Sequence, residues 1–206
     1  MPYMENNTVL LKNISVETPW RPILRRLGYH RDANPDLPTE TFIRSIADEA
    51  AIIAQPMGIY RICQLDKKDG TLIIGRHKIK SESLLKLFKN CNIVVLMAVS
   101  VGKPLCDQRD SYMKTAISKG VIMDAVASEL AEAVMDSLNH IVKQLGRQKG
   151  YETTFRFSPG YKDFDLSCQT IIDDLLNLSR IGVTVTGNFI LQPEKSVTAI
   201  VGWEHE

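Results

Sequence analysis

An α+β fold, with a mixed, mainly antiparallel sheet and a long helical region, is predicted by three features of this sequence. The segment KKDG, Lys67 to Gly70, is a hairpin signal between two strand-like runs. Apolar residues recur at steps of three and four from Ile122 to Leu145, the stripe of a long amphipathic helix. Helices and hairpins mix without a regular strand–helix–strand rhythm, which argues against a doubly wound sheet.

The elements follow in order. Val9 to Leu11 reads as a short edge strand. Thr18-Pro19-Trp20 opens a short basic helix that ends at Gly28. The stretch DANPDLPTE, Asp32 to Glu40, is rich in turn residues and reads as a loop. Thr39 is placed to cap a helix over Thr41 to Ala54, and Pro56 and Gly58 stop it. Ile59 to Leu65 and Thr71 to Ile79 are the two arms of the hairpin. Ser81 starts a helix to about Lys89. The continuous apolar run Ile93 to Val101 is a buried strand. A helix over Leu105 to Ser118 follows, with Gly120 as the expected interruption before a second piece, Val121 to Gln148. Glu152 to Phe157 is a strand, and Asp165 to Ser179 an amphipathic helix with Cys168, Ile171, Ile172, Leu175 and Leu178 inward. Two strands close the chain, Thr184 to Leu191 and Ser196 to Trp203. Residues 1–100 form an N-terminal α/β part. Residues 101–206 form a helix-plus-turn part, and the two are expected to make one compact unit.

The 206 residues suffice for a sizeable core. With 44% hydrophobic and 24% charged residues and a formal net charge of +1, nothing points to nucleic acid or an anionic membrane. Arg21, Arg25, Arg26 and Arg31 make a local basic cluster that reads as a solvated helix face. Met1 to Thr8 is polar and has no signal-like apolar core, and Ile93 to Val101 is too short to span a bilayer. The four cysteines form no CxxC pair, and Cys63 and Cys91 read as small core residues. These observations predict a cytoplasmic location. The four histidines, His30, His77, His140 and His205, stand alone, so no metal site is expected. No nucleophile–base arrangement is legible and no catalytic residue is assigned.

One segment suggests binding. In SPGY, Ser158 to Tyr161, proline and glycine suit the middle of a type II turn. Glycine lets a ligand approach the main chain, and the turn is expected to leave N–H groups open. Arg156 before the turn offers a fork for a carboxylate. Tyr161 after it offers a ring face and a hydroxyl. A plain turn with a surface arginine fits the same residues. Glu132, in DAVASELAEA, falls opposite the apolar stripe with Ser128, Asn139 and Lys143. It is either a solvated carboxylate or an acidic ligand contact, since the small residues Ala125, Ala127, Ser128, Ala131 and Ala133 permit another element or a ligand to come close to the helix.

Three blocks in order carry a resemblance: DAVASELAEA at Asp124 to Ala133, RFSPGY with DFDLSCQ at Arg156 to Gln169, and GVTVTGNFILQPEKSVTAIVG at Gly182 to Gly202. Together they resemble the C-terminal activation (reactivation) domain of cobalamin-dependent methionine synthase, with RxxPGY the most specific part. The resemblance implies a free-standing homologue of that domain and its fold. It implies S-adenosylmethionine as ligand, and cobalamin carried by a partner protein. The partner would be the cobalamin-binding module of methionine synthase or of another corrinoid protein, with flavodoxin or ferredoxin as reductant. It would take part in methionine synthase activity rather than catalyse alone. Carried over by motif, Arg156 takes the methionyl carboxylate, Ser158 and Gly160 meet the ligand through their backbone, Tyr161 lines the site, and Glu132 is the acidic contact. The chain departs from the fused domain at Gly187-Asn188, where that domain has an acid. That domain also continues past the position of Glu206, and only Glu17 could stand for a further acidic contact near its start. An alternative implication is a docking module for a corrinoid methyltransferase that binds no small ligand. A stand-alone methyltransferase is the weakest reading, because the chain lacks the Gly-rich strand–helix loop that many such enzymes use and shows no methyl-acceptor site.

Overall fold

The computed structural model describes residues 8–30 and 33–205. Arg31 of the basic cluster and residues 1–7 lie outside them. Strands β1 (Val9–Lys12), β2 (Met57–Lys68), β3 (Thr71–Ile74), β4 (His77–Ile79), β5 (Cys91–Ser100), β6 (Tyr151–Thr153) and β9 (Ser196–His205) form one sheet. The order is β4-β3-β2-β5-β9-β6, with β1 on the other flank of the first half of β2. Every strand pairing among the described residues is antiparallel. The small strands β7 (Thr184–Val185) and β8 (Leu191–Gln192) pair only with each other.

Helices cover both faces of the sheet, and this explains the unbroken apolar run of β5. On one face Val95, Met97, Val99, Val201 and Trp203 pack with residues of α1 (Trp20–Arg26), α2 (Leu37–Ile53) and α5 (Ile117–Gln148). On the other face Val94, Leu96, Ala98 and Ile200 pack with α3 (Glu82–Leu87), α6 (Gln169–Leu176) and the buried Phe164. A strand covered on both sides has no polar face to alternate with. Strand β9 lies against β5 from Ser100↔Ser196 to Cys91↔Glu204, so the end of the chain completes the middle of the sheet. The α+β class, the antiparallel sheet and the long helix are those predicted.

Several boundaries differ, each for a local reason. Helix α2 starts at Leu37 rather than Thr41, because Asp36 and not Thr39 is the cap. Its carboxylate accepts the Thr39 N–H at 2.9 Å, and Pro38 fits the first turn. The partner of β2 is two strands, because Gly75 (φ +58°) folds Thr71 to Ile79 into a second hairpin. The first hairpin turns at Asp69 and Gly70, both at positive φ, as its sequence predicts.

Gly120 is not a break. The helices α4 (Lys103–Thr115) and α5 part at Ala116, which is extended (φ −154°, ψ 76°). Gly120 lies inside α5, where a Cβ would stand 2.8 Å from the Met113 nitrogen, so its role is to let α4 cross closely. The α5 stripe buries Ile122, Val126, Leu130, Val134 and Leu138 as predicted, but Val142 replaces the half-exposed Ile141. The segment Asp165 to Ser179 is three pieces: a 3-10 turn over Leu166–Cys168, α6, and a second 3-10 turn over Leu178–Ile181 after left-handed Asn177. Thr184 to Leu191 is a hairpin rather than one strand, turning through Gly187-Asn188, where the Thr186 N–H donates to the Ile190 carbonyl at 2.8 Å and the Thr186 hydroxyl accepts the Ile190 N–H at 3.0 Å.

All four cysteines are buried and unpaired, and burial pushes the thiols of Cys91 and Cys168 up to about 11. They are small core residues, as Cys63 and Cys91 were read. Of the basic cluster, Arg26 pairs with Glu129 of α5 at 2.7 Å and Arg21 donates to Asn34. No helix among the described residues is long and apolar enough to cross a membrane.

Candidate functional site

Arg156 and Glu132 come together through a bulge in the strand that precedes the turn. The predicted strand Glu152 to Phe157 is regular only in β6. Beyond it, Thr154 N–H donates to the Gly202 carbonyl at 2.9 Å, and Phe157 exchanges both backbone bonds with Ile200 at 3.0 and 2.8 Å. From Thr154 to Phe157 is three steps, whereas Gly202 to Ile200 is two. The extra residue throws Phe155 into solvent, 86% exposed, and turns Arg156 toward α5. Re-aiming a side chain next to a site is a usual outcome of a bulge.

Arg156 there meets two carboxylates one helical turn apart on α5. Its Nη2 donates to Glu132 Oε2 at 2.9 Å and its Nη1 to Asp136 Oδ1 at 2.9 Å. The guanidinium side chain is 24% exposed, against 45% for Glu132 and 72% for Asp136. The structure therefore joins Arg156 and Glu132, 24 residues apart in sequence. Asp136 was missed, although its i,i+4 spacing from Glu132 places both on one helix face.

The turn Ser158 to Tyr161 has type II character: Tyr161 N–H donates to the Ser158 carbonyl at 3.2 Å, and Gly160 holds φ +92°. One expectation is corrected. The Gly160 N–H is not open but donates to the Phe164 carbonyl at 2.7 Å, because the chain curls back to bury Phe164 beneath the turn. The Gly160 and Tyr161 N–H groups thus close the loop. What faces outward is the bare Cα of Gly160 and the Tyr161 ring, 66% exposed and edge-on to Phe157. Ala125, Ala127 and Ala131 are buried, so of the two close approaches that small residues permit, it is another element of the fold that they bring against α5.

The turn is tied to the start of α3 by Asp163. Its carboxylate accepts the N–H groups of Glu82 and Ser83 and the Ser81 hydroxyl, at the start of α3. Hydrogen bonds from Ser83, then those from Ser81 and Glu82, pull its carboxyl down to about 2 from 3.8, against a smaller effect of burial. A carboxylate with a depressed folded pKa stabilises the fold above its unfolded pKa. That contribution is lost as pH falls through the folded value. The stability advantage of the native protein over Asp163→Asn should therefore shrink between about pH 4 and pH 2. Urea midpoints of both proteins across that range check it, and a constant gap would remove the cap.

A second polar cluster lies one to two turns toward the start of α5. Lys195 Nζ contacts Asp124 and Ser128, each at 2.8 Å. Arg109, only 11% exposed, pairs with Asp110, Asp124 and Glu194 at 2.7–3.0 Å. Burial alone would lower the Arg109 pKa, but its bonds to Glu194, Asp124 and Asp110 leave it raised. Burial likewise works to raise the Asp124 carboxyl, and hydrogen bonds from Lys195 and Arg109 leave it lowered. An adjoining cleft of about 410 Å³ is lined by Cys106, Arg109, Gln192, Pro193 and Glu194. The charges of this cluster bind the β8–β9 link to α4 and α5. No local sequence signal pairs Arg109 with Lys195, which are brought together only by the fold. Among the described residues no group of three or more His, Cys, Asp or Glu side chains could hold a metal ion.

No protein-family model matches the chain, and no curated protein matches it. Among solved structures it is similar to the MetH reactivation domain bound to AdoHcy, with a TM-score of 0.70 and 16% identity. The match covers 95% of this chain and 78% of that one. The chain therefore has the fold of that reactivation domain, the fold expected from the RxxPGY resemblance.

Proposed function

We propose that this protein binds S-adenosylmethionine and supports the reductive remethylation of cobalamin carried by a methionine synthase that lacks its own activation domain. The observation that carries the reading is the placement of Arg156. In the fold of a reactivation domain solved with AdoHcy, a guanidinium two residues before a turn with an exposed glycine and tyrosine is held on α5 with Glu132 against it. Arg156 takes the methionyl carboxylate by its fork. The Tyr161 ring flanks the ligand and the Gly160 Cα leaves room for it, while Glu132 attracts its positive charge. Ser158 contributes its backbone and hydroxyl at the rim. The chain supplies methyl donor and docking surface, and the partner's cobalamin supplies the hard chemistry. The partner is the cobalamin-binding module of methionine synthase or another corrinoid protein, with flavodoxin or ferredoxin giving the electron, in the cytoplasm.

One observation favours a second reading. Arg156 already bonds two carboxylates, and the turn spends two N–H groups on itself. A docking module that recognises a corrinoid protein without a small ligand would be built this way too. Isothermal titration of the purified protein with S-adenosylmethionine and S-adenosylhomocysteine separates the two. Micromolar binding is expected from the first reading. Absence of heat up to millimolar ligand, with the protein folded, would leave the docking module.

A further inference from the structure

Arg156 is one positive charge between two negative ones. Glu132 and Asp136 each hold one nitrogen of its fork at 2.9 Å, so the three side chains sum to −1 at neutral pH. Three of the five guanidinium N–H groups remain, so a ligand carboxylate can bind either by displacing one of the two side chains or by sharing the single positive charge with both. Asp136, at 72% exposed against 45%, is the more readily released to water. A bare anion entering here would leave three carboxylates around one guanidinium. A ligand that brings its own cation, an ammonium or a sulfonium, would find the released carboxylate waiting for it.

We propose that Asp136 is a specificity-determining counter-ion of Arg156: it competes with the ligand's carboxylate and so selects ligands that carry positive charge of their own. The selectivity rests on the reading of Arg156 as the carboxylate partner of an adenosyl ligand. The competition itself rests only on the geometry of the three side chains. Both adenosyl ligands carry an α-ammonium and only S-adenosylmethionine adds a sulfonium, so on this account the site prefers it to the thioether S-adenosylhomocysteine, and Asp136 is a cause of the preference.

The test compares the full chain with Asp136→Asn, a substitution on an exposed helix face that leaves Glu132 and Arg156 in place. Phenylglyoxal modification of Arg156, followed by peptide mass, should be about threefold or more faster in the variant, because one of the two charge-assisted bonds is weakened. In parallel, titration should show the native protein preferring the sulfonium by roughly 5-fold to 10-fold, and the variant by about 2-fold, mainly through tighter binding of the thioether. An unchanged modification rate overturns the counter-ion role. A faster rate with both affinities shifted by the same factor overturns the selectivity. A faster rate with neither ligand bound by either protein supports the counter-ion role and overturns the adenosyl-ligand reading instead.

Discussion

Replacing Arg156 by alanine should weaken S-adenosylhomocysteine binding by about 2 kcal/mol or more, roughly 30-fold, while the protein stays folded. The size of the effect follows from what is lost. A guanidinium fork makes two charge-assisted bonds to one carboxylate, and a partly shielded carboxylate left without them keeps its desolvation cost. Without Arg156, Glu132 and Asp136 would also repel the ligand's carboxylate with nothing to offset them. The fold should survive because Arg156 bonds only half-exposed and exposed carboxylates, and pairs of that kind contribute little to stability. Titration of the variant checks the affinity, and circular dichroism checks the fold. An unchanged affinity in a folded variant would remove Arg156 from the site. Asp136→Asn is expected to act in the opposite direction on the same ligand, so the two variants together separate a carboxylate receptor from its competitor.

The largest loss of stability near the site is expected at Phe164. Its side chain is 1% exposed and belongs to the core on the α6 face, with its ring 6.2 Å from that of Phe157. Its backbone also closes the turn, accepting from Gly160 and donating to Tyr161. Phe164→Ala should cost about 3–5 kcal/mol, through lost burial and the cavity left behind. Phe164→Leu, which fills much of the same volume, should cost about 1 kcal/mol. Urea unfolding of the three proteins reads the difference directly. If alanine and leucine cost the same small amount, Phe164 would not be the anchor of the turn. Because Gly160 and Tyr161 hang on that anchor, the alanine variant should also lose affinity for S-adenosylhomocysteine, even where it remains folded.

The fold was legible wherever one residue or one period decides the backbone. The Asp69-Gly70 turn, the two-faced burial of Ile93 to Val101, the Pro159-Gly160 turn and the α5 stripe from Ile122 to Leu138 are all of this kind. Boundaries slipped where neighbours compete. Asp36 outbid Thr39 for a cap, and the extended Ala116 separated two helices that Gly120 was expected to part. The bulge at Phe155 and Arg156 had no signature, since it arises from how β9 pairs on either side of it. Likewise nothing local to Arg109, Asp124, Glu194 and Lys195 announces that they share one cluster.

By itself the sequence determined the class of the fold, the long helix and the turn chemistry of RxxPGY, because propensity, period and backbone freedom act over a few residues. Only the tertiary structure decided that Arg156 faces Glu132 and Asp136, that the turn's N–H groups are spent inward, and that the alanines of α5 pack against protein. Each of these depends on which distant segment lies alongside. Pairing between β6, β9 and α5 sets that geometry, and no short stretch of the chain contains it.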